Sequence, residues 1–130
     1  MIKNKSEIEY LATPYSHEDI LVRKFRFVIA NKITATLIRE GRIIFSPISH
    51  CHPLTEYGLP GSWEYWQKYS YEFLKNAKKL IIIELDGWEK SVGVQGEIKV
   101  AKNLGIPIEY IDPTPYLYRP NGGIRQTRQA

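Results

Sequence analysis

Two spacings of apolar residues divide this chain. Short β-type runs fall at Ile8 to Ala12, Arg42 to Phe45, Leu80 to Leu85 and Ile106 to Ile111, and longer stretches between them repeat at helical intervals. Thr13-Pro14, Pro47 and Asp112-Pro113 close three of the runs. In the first helical stretch Ser16 reads as the N-cap, with Glu18 and Asp19 in the first turn. Val22, Phe25, Ile29, Ile33 and Leu37 form its inward stripe, and Gly41 ends it. A second helix is predicted from about Ser62 to Ala77, with Trp66, Ser70, Phe73, Leu74 and Ala77 inward. A third runs from near Ser91 to Gly105. The segment 49–61, with Pro53 and Pro60 and a Leu-Pro-Gly turn, reads as a loop.

The run Leu80 to Leu85 is apolar except at Glu84, as in a central parallel strand covered on both faces. The alternation β-α-β-α-β-α-β therefore predicts an α/β fold: a small, doubly wound, flavodoxin/Rossmann-like open parallel sheet of four to five strands in three layers. Ligands of such sheets bind outside the carboxyl ends of the strands, at a switch in strand order. That rule selects the loops starting at Thr13, Ser46, Asp86 and Asp112.

Composition changes this picture little. The 130 residues are 43% hydrophobic and 25% charged, suited to one soluble domain. No apolar run approaches the ~20 residues of a membrane helix, and no signal peptide is read at the N-terminus. A single cysteine, Cys51, excludes an internal disulfide and suits a cytoplasmic location. The net charge of +4 is not spread evenly: Arg119, Arg125 and Arg128 lie in a tail without acids, so the body is close to neutral. We therefore expect a domain over 1–118, a basic flexible tail over 119–130, and neither nucleic acid nor membrane as a partner.

The densest chemistry lies in Asp86-Gly87-Trp88-Glu89-Lys90-Ser91-Val92-Gly93-Val94-Gln95-Gly96-Glu97. Glu97 stands three residues before Val100, four before Ala101 and seven before Leu104, on the stripe facing the sheet. An ionised carboxylate there is unfavourable unless it is paired or opens into a pocket. Ser91 caps the helix, and the amides of Val92, Gly93 and Val94 point outward with the positive end of the helix dipole behind them. Gly93 and Gly96 clear the approach, which suits a phosphate or sugar hydroxyl beside a carboxylate. The structural alternative is a capped helix whose glutamate is paired to a neighbour. His50 and His52 lie on the rim of the same region as hydrogen-bonding or base-lining groups. With three histidines, one cysteine and no i, i+4 histidine pair, neither a metal nor another cofactor is expected. Trp63 and Trp88, near loop ends, are candidates for stacking on a base, whereas Trp66 reads as core.

Three segments together carry a family likeness. Tyr10-Leu11-Ala12-Thr13-Pro14, Phe45-Ser46-Pro47 and Ser91-Val92-Gly93-Val94-Gln95-Gly96-Glu97 resemble the nucleoside 2-deoxyribosyltransferase superfamily, which includes the 2'-deoxynucleoside 5'-phosphate N-hydrolases. The chain looks closer still to an uncharacterised domain family with a His-x-His-Pro loop (His50-Cys51-His52-Pro53) and an Asp-Gly-Trp turn (Asp86-Gly87-Trp88). The resemblance implies cleavage or transfer at an N-glycosidic bond. Glu97 would attack the anomeric carbon, as carboxylate nucleophiles do in retaining glycosidases. It implies that Tyr10 positions the sugar or the glutamate. Ser91, where the transferases carry an aspartate, points to a 5'-monophosphate. Gly93, Thr13, Pro14, Ser46, Ser70, His52 and Trp88 complete the expected binding surface. One departure stands out: Ser70 occupies the place of an aspartate that orients the sugar and protonates the leaving base, and serine is a poor acid. Asp86 is the remaining candidate for that role. The alternative is a nucleotide-binding or sensor domain without turnover. The resemblance also implies a homo-oligomer, a dimer or tetramer, and Tyr65, Tyr69 and Tyr71 exceed what one inward face needs.

Overall fold

The structure is a computed structural model describing residues 6–117. The tail at 119–130 therefore lies outside the described residues. Four strands, β1 (Glu9–Ala12), β2 (Ile44–Phe45), β3 (Lys79–Ile83) and β4 (Ile108–Ile111), form a parallel sheet in the order β2-β1-β3-β4. Helices α1 (Ile20–Arg39), α2 (Pro47–Thr55), α3 (Trp63–Leu74), α4 (Val92–Leu104) and the short α5 (Thr114–Leu117) flank it, with a 3-10 turn at Trp88–Lys90. This is the expected α/β architecture, an open three-layer sandwich.

Strand alternation divides the core. Tyr10, Ala12, Leu80 and Ile82 face α3 and α4, packing with Leu74, Ala77, Val94, Ile98 and Ala101. Leu11, Ile81 and Ile83 face α1, packing with Ile29, Ile33 and Leu37. Burial of β3 on both faces explains its unbroken apolar run. Strand order reverses between β1 and β3, so their carboxyl ends open a crevice.

At the opposite end of the sheet the strands are tied by charge. Arg42 bridges Glu9 at 2.6 Å and Glu109 at 2.7 Å, and Lys79 reaches Glu109 at 3.0 Å. The two cations hold the Glu109 carboxyl below its ordinary range, against a burial effect that pushes it up.

Several boundaries differ from the sequence pattern for physical reasons. Segment 49–61 is not all loop: Ser46 caps α2, accepting from the Ser49 amide at 3.3 Å, and Pro47 occupies the first turn, where its missing N–H is harmless. The N-cap of α1 is Asp19, which accepts from the Leu21 amide at 2.8 Å, and not Ser16. Phe25 is 49% exposed instead of inward. Twenty helical residues span about 30 Å, whereas a four-residue strand covers about 13 Å. The first turns of α1 therefore overhang the carboxyl edge of the sheet. Phe73 and Leu104, also read as inward, are exposed; Phe73 instead stacks on Phe45 at 4.3 Å. No helix among the described residues is long and apolar enough to cross a membrane.

Candidate functional site

The crevice holds a cleft of about 600 Å³ including its open mouth, of which about 70 Å³ admits the centre of a water molecule. Its floor comes from β1 (Leu11, Ala12) and the following Thr13, and one wall from the start of α4 (Ser91, Gly93, Glu97). The other walls come from α2 (Pro47, Ile48, Cys51, His52, Thr55) and α3 (Trp63, Trp66, Ser70), with Tyr15 and Ser16 at the rim. The inner space is narrow, enough for a few waters or one flat ring.

Glu97 is buried at 7% exposure, and the Tyr10 hydroxyl donates to its Oε2 at 2.5 Å. Tyr10 itself is fully buried, on the β1 face that looks toward α4. Among the described residues Glu97 has no salt bridge; the neighbour it is paired with is Tyr10. Burial pushes its carboxyl up to about 8, and the Tyr10 hydrogen bond pulls only part of the way back. Burial, then the Glu97 charge, raises the Tyr10 phenol well above its ordinary value, while the nearby Ser70 hydroxyl acts in the other direction. Cys51 is buried in the α2 wall and pushed up to about 11 by burial first and Glu97 second, so its thiol is no nucleophile at neutral pH.

Ser91 caps α4, accepting from the Val94 amide at 3.1 Å, and with Gly93 brings the start of α4 into the cleft lining. The Thr13 hydroxyl is buried in the lining with no hydrogen-bond partner among the described residues. A buried polar atom left this way is destabilising by about 1–3 kcal/mol, and a ligand would satisfy it.

Trp63 was read as a loop-end stacking residue. It is the first residue of α3 and lies across the start of α4. A Cβ at Gly96 would come within 2.7 Å of its indole, and one at Gly93 within 3.5 Å. Trp63, Ser70 and Glu97 also line a wider groove between α3 and α4, so the indole stands between the two spaces. Gly96→Ala should therefore destabilise by about 1–3 kcal/mol through overpacking, although alanine is the better helix former by about 1 kcal/mol. Trp63→Ala in the same background should remove that penalty. Thermal denaturation of the two single variants and the double would read a coupling of about 0.5–3 kcal/mol; additive effects would show that the indole is not held by the glycine.

Of the expected site residues, Tyr10 is joined to the cleft through Glu97, and Thr13, Ser70, His52, Ser91 and Gly93 line it directly. Four do not line it. Pro14 is fully buried beside it, and Ser46 is engaged as the α2 cap. Asp86 is exposed; the left-handed turn at Gly87 (φ 95°) follows it, and its carbonyl takes Arg26 at 3.3 Å. Trp88 packs on the core and on Tyr110, with ring centroids 5.7 Å apart. Ile48 and Thr55 also line the cleft, on the helix α2 that the sequence pattern does not show, as does Tyr15 in the loop after β1. Among the described residues no group of three or more histidine, cysteine or acidic side chains gathers to hold a metal.

The fold and cleft define an α/β domain with a buried, tyrosine-bonded carboxyl at the switch point of its sheet. Residues 7–112 match the family described as "Domain of unknown function (DUF1937)", and the chain belongs to that family. No curated protein matches the chain.

Proposed function

We propose that the protein cleaves or transfers the N-glycosidic bond of a 2'-deoxynucleoside 5'-monophosphate, with Glu97 as nucleophile. The observation that carries this is the Glu97 carboxyl, buried at the edge of the cleft, bonded to Tyr10 and without a cation among the described residues. As C1' loses its base it gains positive charge, and a carboxylate in a low-dielectric wall stabilises that charge strongly. Tyr10 holds one carboxylate oxygen and leaves the other to attack. The α4 amides, Ser91 and the orphaned Thr13 hydroxyl supply donors for the phosphate and sugar. The likeness of the Tyr10 to Pro14 and Ser91 to Glu97 segments to the nucleoside 2-deoxyribosyltransferase superfamily supports the same chemistry.

A homo-oligomer belongs to this reading, supported by the exposed Tyr65, Tyr69, Tyr71 and Phe73 along α3. Binding without turnover, as in a sensor domain, is the second reading. It is favoured by Ser70 in the place of an acid and by Asp86 lying outside the cleft.

The test is incubation with matched deoxynucleosides and their 5'-monophosphates, following free base by chromatography and melting temperature in parallel. Monophosphates should release base faster and stabilise more, by about 2.7 kcal/mol at a hundredfold excess over Kd. Equal behaviour of the two classes would remove the phosphate from the reading. Stabilisation without any base release would leave the sensor.

A further inference from the structure

The cleft contains a second hydrogen-bonded pair that the proposed reaction has not yet used. Tyr15 and His52 line the cleft together, and the Tyr15 hydroxyl meets Nδ1 of His52. The imidazole packs against Phe27 with ring centroids 4.3 Å apart and planes tilted by 30°, and stands edge-on to the Tyr15 ring at 5.4 Å. The Thr55 hydroxyl donates to the His52 backbone carbonyl at 2.7 Å, and in the imidazole tautomer with a bare Nδ1 the Tyr15 hydroxyl donates to that nitrogen. The imidazole's own proton is then on Nε2, for which no described residue is an acceptor. His50 differs: its Nε2 is engaged with the Tyr69 hydroxyl at 2.8 Å, outside the cleft.

A departing base needs either a proton or enough acidity of its own to leave as an anion. Among the described residues the titratable side chains lining the cleft are Tyr15, Cys51, His52 and Glu97. Glu97 is the nucleophile. Burial raises Tyr15 and Cys51, so neither gives up a proton readily. His52 is lowered, by burial first and then by Arg23 and Lys24, with Glu56 opposing, so it is neutral at pH 7. A neutral imidazole gives a hydrogen bond and keeps its proton. The inner cleft is narrow, which favours the smaller, single-ring base.

We propose that His52, oriented by Tyr15, receives the departing base, and that the site acts on N-glycosides of single-ring pyrimidinediones, whose base leaves as an anion with a carbonyl oxygen toward Nε2–H. This rests on the N-glycosidic reading. In the first step a Glu97 oxygen bonds to C1', and the C1'–N electron pair departs with the base, which accepts the hydrogen bond from His52. In the second step water attacks C1', its proton passes to the base anion, and the Glu97 carboxylate is restored. The sum is water added across the glycosidic bond.

The experiment compares 2'-deoxynucleoside 5'-monophosphates of 5-fluorouracil, uracil, thymine and cytosine at one pH, in order of falling base acidity. Base release should fall steeply along the series, with uracil ahead of cytosine by on the order of a hundredfold. A flat series would mean that an acid protonates the base, and would overturn the inference while leaving the N-glycosidic reading standing. His52→Ala should slow release from the uracil substrate by about a hundredfold, and His52→Gln, which keeps a neutral N–H donor, should recover most of it. Unchanged release in His52→Ala would also overturn the role. Release from no substrate would overturn the N-glycosidic reading, and this inference with it.

Discussion

Glu97→Gln should reduce base release by on the order of a thousandfold or more, because an amide cannot form the glycosyl ester. The variant should still fold, since the shape is kept and no buried cation is stranded. The pH profile of the native protein gives an independent check. A nucleophile must be ionised, so kcat/KM, which reports the free protein, should rise toward pH 8 and level off above it. A profile that falls through the same range would make Glu97 a proton donor instead. Full activity in Glu97→Gln would remove it from the chemistry.

The second large effect is on stability. The folded-state value of Glu97 is raised from 4.5 to about 8, so between those values the folded protein holds a proton that the unfolded chain has released. The contribution of Glu97 is therefore most favourable below about pH 4.5 and is lost as pH rises, by about 1.4 kcal/mol per pH unit at most, until about pH 8. His52, lowered in the folded state, works in the opposite direction near its own titration but is only partly buried. Glu109 and Asp112 are lowered, so their stabilisation is lost only at acid pH. Denaturant melts of native protein and Glu97→Gln from pH 5 to 8 isolate the Glu97 share. The two should be nearly equal at pH 5, and the variant should become progressively the more stable by a few kcal/mol at pH 8. A constant difference across the range would mean that the carboxyl titrates normally.

Much of this site was legible in the sequence, because its central position depends on local periodicity. The Ser91 cap, the Gly105 stop and the spacing of Glu97 to Ala101 place the carboxyl inward without reference to any other element. The apolar run in β3 likewise declares its two-sided burial. What could not be read depends on non-local geometry. The helix α2 is short, holds Pro53 in its body and has few strong helix formers, so its signal rests on Ser46 and Pro47 alone. Phe25 follows the helical stripe faithfully, but whether a stripe meets a sheet depends on how far the strands extend. Asp86 and Trp88 belong to the right loop; the turn at Gly87 sends them away from the cleft. The Trp63 to Gly96 contact joins two helices, and neither segment announces the other.

The ion network of Glu9, Arg42, Glu109 and Lys79 sits at the amino ends of the strands, and the cleft opens at their carboxyl ends. A strand the length of β3 separates the two by roughly 13–16 Å, beyond the range at which substitutions usually couple. Anchorage and cleft are thus housed at opposite poles of one sheet. A lineage can remodel the residues around Glu97 without loosening the clasp that keeps the strands in register.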